Sequence, residues 1–217
     1  MIIGIRQIRG TSSSGGADPT TLAPNSAFLA RSTIVAFGTT GSPGGENFVT
    51  CSDGTNGTYT ALSNVNDGTN TQRLGSFAVA NVAAGTPTVT LDLTAATGGF
   101  TALVIIEVVG ARLALPPGST WFTGQVQATP TTSPGALTSG TATPEGGQAA
   151  YLIIGLSTND GDGTSTPGLF VGDGWTDHGT FFDSGNARVI SKRVSASSPQ
   201  AALWTATANN SHISAVV

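Results

Sequence analysis

Charged side chains are scarce in this chain. Of its 217 residues, 8 are Lys or Arg and 12 are Asp or Glu, so 9% are charged, against about 25% in an ordinary soluble domain. At a net charge of −4 there is no material for the basic stripe that phosphates require, so no nucleic-acid partner is expected. The single cysteine, Cys51, excludes an internal disulfide and a cysteine-built zinc site. No run approaches the roughly 18 consecutive apolar residues of a membrane-spanning helix, and no membrane partner is expected. The opening MIIGIRQIRG lacks the basic start and the apolar core of about 7–15 residues that mark a secretion signal. Helix formers are few, and 30 Gly and 11 Pro interrupt every long window.

Strand patterns fill the space left by these absences. Thr88 to Thr94 alternates cleanly, with Val89, Leu91 and Leu93 on one face. Phe100 to Val109 (FTALVIIEVV) is almost continuously apolar, which suits a strand covered on both sides. Tyr151 to Ile154 reads the same way. Further strands are expected over Thr33–Phe37, Asn47–Cys51, Thr58–Leu62, Arg73–Val82, Arg188–Val194, Ala201–Ala206 and His212–Val217. Clusters of Gly, Asn, Asp and Pro separate them. Many short strands punctuated in this way predict an all-β sandwich or barrel. About 70% of the surface of a chain this long can be buried on folding, enough for a self-sufficient core.

Two regions break the rhythm. Residues 1–31 read as an extended N-terminal arm, apolar at Ile2, Ile3, Ile5 and Ile8 and then rich in Ser and Gly. Residues 111–148 read as a long Pro/Thr-rich loop excursion from a sandwich spanning 32–217. Within it, Trp121 and Phe122 stand between Pro117 and Gly124, where no strand period continues. They are expected to be contact residues covered by a sister subunit, a partner protein or a sugar. Met1–Arg9, with the isoleucines of the arm, is expected to add to a neighbour's sheet edge or to lie on the floor of a capsid, by strand addition.

The run Ser52-Asp53-Gly54-Thr55-Asn56-Gly57-Thr58-Tyr59-Thr60, the stretch Phe77 to Gly85 leading into Thr88–Leu93, and Ile106-Glu107-Val108-Val109-Gly110 occur in a meaningful order. After them come Tyr151–Leu156, Gly172–Trp175 and a C-terminal strand pair holding Trp204. Together they resemble the jelly-roll β-sandwich domains of phage structural proteins and bacterial surface proteins. The resemblance spans about residues 32–217 and departs at Gly57 and Thr58, which replace the more usual hairpin order. It implies an antiparallel jelly-roll β-sandwich and a surface setting, and it implies no catalytic motif.

Chemistry-bearing residues each admit two readings. His178, between Asp177 and Asp183, could join a Ser/His/Asp site, yet no nucleophile is marked out and solvated turn residues explain it as well. Cys51 ends an apolar strand and reads as a structural thiol. Asn159 to Gly163 has the acid spacing of a calcium loop without its closing Glu, and is read as a surface turn; Asp53 and Asn56 carry a weaker signal of the same kind. Glu107, on the face of Leu103 and Ile105, is either a buried functional carboxylate or a strand-end group paired with Arg112 or a backbone amide; the pairing is favoured. Trp175 could stack on a sugar, Trp204 reads as core, and Arg188, Lys192 and Arg193 as a solvated or pairing strand face.

These readings predict a non-enzymatic virion structural protein with no metal and no cofactor. The expected partner is a major capsid protein, which the chain would decorate from the outer surface of a phage head after synthesis in the host cytoplasm. Closed symmetry favours a trimer or similar ring. The alternative is a carbohydrate-binding module or a tail or head fibre element, with a glycan as ligand.

Overall fold

The structure, a computed structural model, describes residues 3–13, 16–41, 46–66, 72–95, 99–111, 125–127, 135–142, 151–159, 168–169, 174–181, 187–195, 200–206 and 212–216. Every regular element among the described residues is a strand, and paired strands run antiparallel. The all-β expectation therefore holds. The chain divides into two compact units, Met1–Asn64 with Gly75–Ser119, and Val65–Leu74 with Thr120–Val217.

The first unit holds two sheets. One is five-stranded in the order β1-β9-β3-β7-β6, from β1 (Gly4–Ser13), β3 (Thr33–Thr40), β6 (Thr60–Asn66), β7 (Arg73–Ala80) and β9 (Thr101–Val109). The other is four-stranded in the order β2-β8-β4-β5, from β2 (Thr20–Leu22), β4 (Phe48–Asp53), β5 (Gly57–Thr58) and β8 (Val89–Leu93). Their facing sides share one core. Ile34, Ala36, Phe77, Leu103 and Ile105 come from the first sheet, and Leu22, Phe48, Cys51, Val89, Leu91 and Leu93 from the second. Strand alternation dictates this set. In β8 the buried residues are Val89, Leu91 and Leu93, while Thr90 and Asp92 between them are half-buried. Each fully buried Leu or Phe side chain contributes about 1.5–3 kcal/mol.

Two glycines set the spacing of the sheets. A Cβ on Gly38 would lie 2.5 Å from Leu91 Cδ2, and one on Gly75 would lie 2.6 Å from the Phe48 ring. The Phe48 ring in turn stands edge-on to Phe77, with centroids 6.4 Å apart. β9 is buried from Thr101 to Val108, as its continuous apolar run predicts.

The second unit holds a five-stranded sheet in the order β10-β17-β12-β15-β14, from β10 (Gln125–Gln127), β12 (Tyr151–Asn159), β14 (Thr176–Thr180), β15 (Arg188–Val194) and β17 (His212–Val216). Its three-stranded sheet runs β11-β16-β13, from β11 (Gly135–Ala142), β13 (Gly168–Leu169) and β16 (Gln200–Ala206). Ile153, Trp175, Ile190, Ala202 and Trp204 form its core, with Tyr151 and Val194 packed against them.

The structure differs from the sequence reading at both irregular regions. Residues read as an arm contain β1, which pairs along its length with β9 of its own sheet. Residues read as a loop excursion contain β10 and β11, paired with β17 and β16. Ile5 and Ile8 of the arm, expected to add to a neighbour's sheet, pair instead with β9 of the same chain. The second region was hidden by composition, since β11 (GALTSGTA) carries almost no apolar alternation and its strand character comes from a partner far along the chain.

Candidate functional site

The most elaborate side-chain chemistry of the first unit surrounds Glu107. This residue lies on the core-facing side of β9, 1% exposed. The β1–β9 register slips between Ile5 and Gln7, so Arg6 is the extra residue of a bulge. A bulge re-aims side chains, and here it sends both Arg6 and Gln7 to the carboxylate. Arg6 Nη1 donates to Glu107 Oε2 at 2.5 Å and Gln7 Nε2 donates to the same oxygen at 2.6 Å. The Leu29 amide donates to Oε1 at 2.6 Å. The pairing reading of Glu107 thus holds in kind, with Arg6 as the ion-pair partner; Arg112 lies outside the described residues. The same Arg6 and Gln7 side chains reach on to Ala27 O and Ser26 O, and Arg9 reaches Ala23 O, tying residues 23–29 along β1.

A second carboxylate organises the β4–β5 hairpin. Asp53 accepts from the Thr55 amide at 2.8 Å, the Asn56 amide at 2.6 Å, the Asn56 side chain at 2.9 Å and the Tyr59 hydroxyl at 2.7 Å. Burial pushes this carboxyl up, but the bonds from Asn56, Tyr59 and Thr55 outweigh it and hold the group below the usual carboxylate range. Gly57 closes the turn at φ +77°, a left-handed conformation that suits glycine. Asn56 Oδ1 accepts from the Ala83 amide at 2.8 Å, which fastens the hairpin to the loop before β8. That loop pairs in turn with residues 28–32 through Phe28 and Gly85 and through Arg31 and Val82. Arg31 (φ 68°) and Asn81 (φ 58°) are both left-handed, a rare state for residues with a side chain. Asn is among the residues that most often adopt this state, whereas no sequence signal marks Arg31 or the bulge at Arg6.

Asp53 and Asn56 therefore satisfy each other and the backbone, and their calcium reading has no free ligands to offer. No group of three or more metal-ligating side chains occurs among the described residues. Asp160 to Gly163 lie outside them. Cys51 is fully buried, and burial together with the nearby Asp53 pushes its thiol up to about 12, so the structural reading fits it.

In the second unit, His178 Nε2 lies 2.8 Å from Ser191 Oγ. Burial lowers the imidazole's proton affinity, and Asp177 only partly restores it. Asp177, however, is paired with Arg188 and accepts from the Gly179 amide at 2.9 Å, so it is not oriented as a triad acid. Asp183 lies outside the described residues. Trp175 is 8% exposed, with Lys192 Nζ 5.9 Å from its ring centroid, which removes it as a platform for a sugar. Trp204 is core, as expected. Of the basic trio, Arg188 pairs with Asp177, Lys192 sits over Trp175, and Arg193 is exposed.

Of the expected interface residues, Ile3, Ile5 and Ile8 are half-buried, Ile3 just before β1 and the other two within it, at the edge of their own sheet. Ile2, Trp121 and Phe122 lie outside the described residues. No family model, curated protein or solved structure matches the chain.

Proposed function

We propose that this chain is a non-enzymatic phage virion structural protein of jelly-roll type, acting as a capsid decoration protein on the major capsid protein. The observation that carries the reading is the use made of reactive side chains. Glu107, Asp53 and Asp177 spend their oxygens on arginine, amide and hydroxyl donors, and Cys51 is sealed in the core. Such groups hold strands and loops in place. Carboxylates satisfied in this way fix geometry, and fixed loops suit a permanent protein contact. The low overall charge favours contact with protein over a solitary soluble life. A ring on local symmetry axes, most simply a trimer, fits that role.

Quantifying purified particles by mass spectrometry tests this reading. Hundreds of copies per particle are expected for a head decoration protein, on the order of the capsid subunit number. A handful of copies points to a tail or fibre part, and none sinks the virion reading. The second reading, a carbohydrate-binding surface module, is favoured by one specific observation: the solvent face of β2-β8-β4-β5 carries side-chain hydroxyls and a carboxylate without partners among the described residues.

A further inference from the structure

The core-facing side of the four-stranded sheet is apolar; its other side is a field of short polar groups. Register places Thr21 opposite Thr90, Thr90 opposite Ser52, and Ser52 opposite Thr58. One row of hydroxyl residues therefore crosses all four strands. At a strand spacing of about 4.8 Å the row spans roughly 14 Å. Beside it, Asp92 stands opposite Thr50. The β4–β8 register slips between Phe48 and Thr50, which makes Val49 the extra residue of a bulge. Phe48 is buried, whereas Val49 is 51% exposed next to Thr50.

We propose that this face docks a neutral glycan, the Asp92 carboxylate accepting from a vicinal diol and Val49 packing under the C–H face of the ring. The proposal rests on the carbohydrate reading above and gives it a place. A carboxylate accepts two neighbouring hydroxyls at once, and such charge-assisted bonds are the strong ones. Among the described residues, neither Asp92 nor the hydroxyls of Thr50, Ser52 and Thr90 has a hydrogen-bond or ion-pair partner within the protein. They remain available to a ligand.

The charge of the face selects the occupant. Among the described residues its one charged group, Asp92, is negative, so a sialylated or uronate-bearing glycan would meet like charge. A calcium ion needs six to eight oxygen ligands, roughly, and one carboxylate among hydroxyls does not supply them. Among the described residues Val49 is the single exposed large apolar side chain on this face, too small a patch for the apolar core of a stable protein interface. Alternating hydroxyl donors and acceptors around one small apolar group match a neutral pyranose better than any of these.

An array of neutral and acidic glycans probed with the full chain, followed by titration of the best hit, tests the site. Binding to a neutral glycan is expected. Asp92→Asn should weaken it by about tenfold or more, the loss of a hydrogen bond to a charged group. Val49→Ala reads the same surface independently and should also weaken it. Val49 is exposed and Asp92 half-buried, both away from the core, and circular dichroism melts should match those of the parent chain; Val49→Ala alone decides if Asp92→Asn does not fold. Binding unchanged in both variants overturns this site and leaves the carbohydrate reading standing. Preference for acidic glycans, or binding that disappears with a chelator and returns with calcium, overturns the proposed recognition. No binding to any glycan overturns both.

Discussion

The Tyr59 hydroxyl donates to Asp53 Oδ2 at 2.7 Å, joining a core aromatic to the carboxylate that shapes the turn beside it. Tyr59 is 3% exposed and Asp53 6% exposed, so water replaces neither partner. One pair thus links the sheet core to the hairpin, and through Asn56 to the loop at Ala83.

Removing the hydroxyl should therefore cost more than a surface hydrogen bond. Tyr59→Phe keeps the packing and deletes the donor, and is expected to destabilise by about 1.5–3 kcal/mol, the range for a bond to a charged acceptor. The carboxyl's proton affinity is held down in the folded state, so its contribution is present above the unfolded carboxyl range near 3.8 and is lost as pH falls through the lower folded value. Urea unfolding at a series of pH values from neutral to strongly acid checks both points. Asp53→Asn should flatten the acid limb. An unchanged acid limb in that variant would show that other carboxylates carry it.

Arg6 and Glu107 should behave as a coupled pair. Glu107 has a side chain with 0% exposure, while that of Arg6 is 29% exposed. Arg6→Ala leaves a buried carboxylate held only by Gln7 and the Leu29 amide, and breaking a buried pair in this way costs about 3 kcal/mol or more. Glu107→Gln brings an amide N–H against the Gln7 donor and should also destabilise. The double variant should be less damaging than the sum, with a coupling of about 1–3 kcal/mol in a double-mutant cycle. Strict additivity would mean that the bulge at Arg6, rather than the ion pair, holds residues 23–29 along β1.

Gly75 is a packing residue. A methyl there would sit 2.6 Å from the Phe48 ring, which already stands edge-on to Phe77, two residues along the same strand. Gly75→Ala should destabilise by about 1–3 kcal/mol through overpacking. Pairing it with Phe48→Leu, which makes room, should recover part of the loss. Thermal melts of the three variants decide this; a neutral Gly75→Ala would mean that the sheets part without cost.

Much of the fold was legible, and the failures have a common physical origin. β9 and β15 could be read because apolar residues either run on or alternate, and burial follows that pattern directly. Cys51, Trp204 and the paired state of Glu107 followed from the same faces. The partner of Glu107 did not, because Arg6 is brought to it by a bulge 101 residues away, and bulges leave no local mark in the sequence. β10 and β11 were hidden for a related reason: their small polar residues become strands only against β17 and β16. Trp175 looked available because glycines precede it, whereas the core of the second unit claims it.

His178 should make the second unit sensitive to mild acid. Its Nε2 meets Ser191 Oγ at 2.8 Å, Asp177 lies next to it in β14, and Arg188 pairs with that carboxylate from β15. Burial disfavours the charged imidazole more than Asp177 favours it, so the folded chain binds this proton less readily than the unfolded chain does. Above the unfolded histidine value near 6.5 both states are neutral and the full stability is present. As pH falls below it, the unfolded state takes up the proton first, and stability declines through the folded value. His178→Gln keeps a polar group facing Ser191 and removes the titration. Unfolding midpoints measured between neutral pH and the carboxylate range should fall for the parent chain and stay level over the upper part of that interval for the variant. Parallel curves for the two proteins would show that the imidazole is equally free to charge in both states, and that its contact with Ser191 does not depend on a neutral ring.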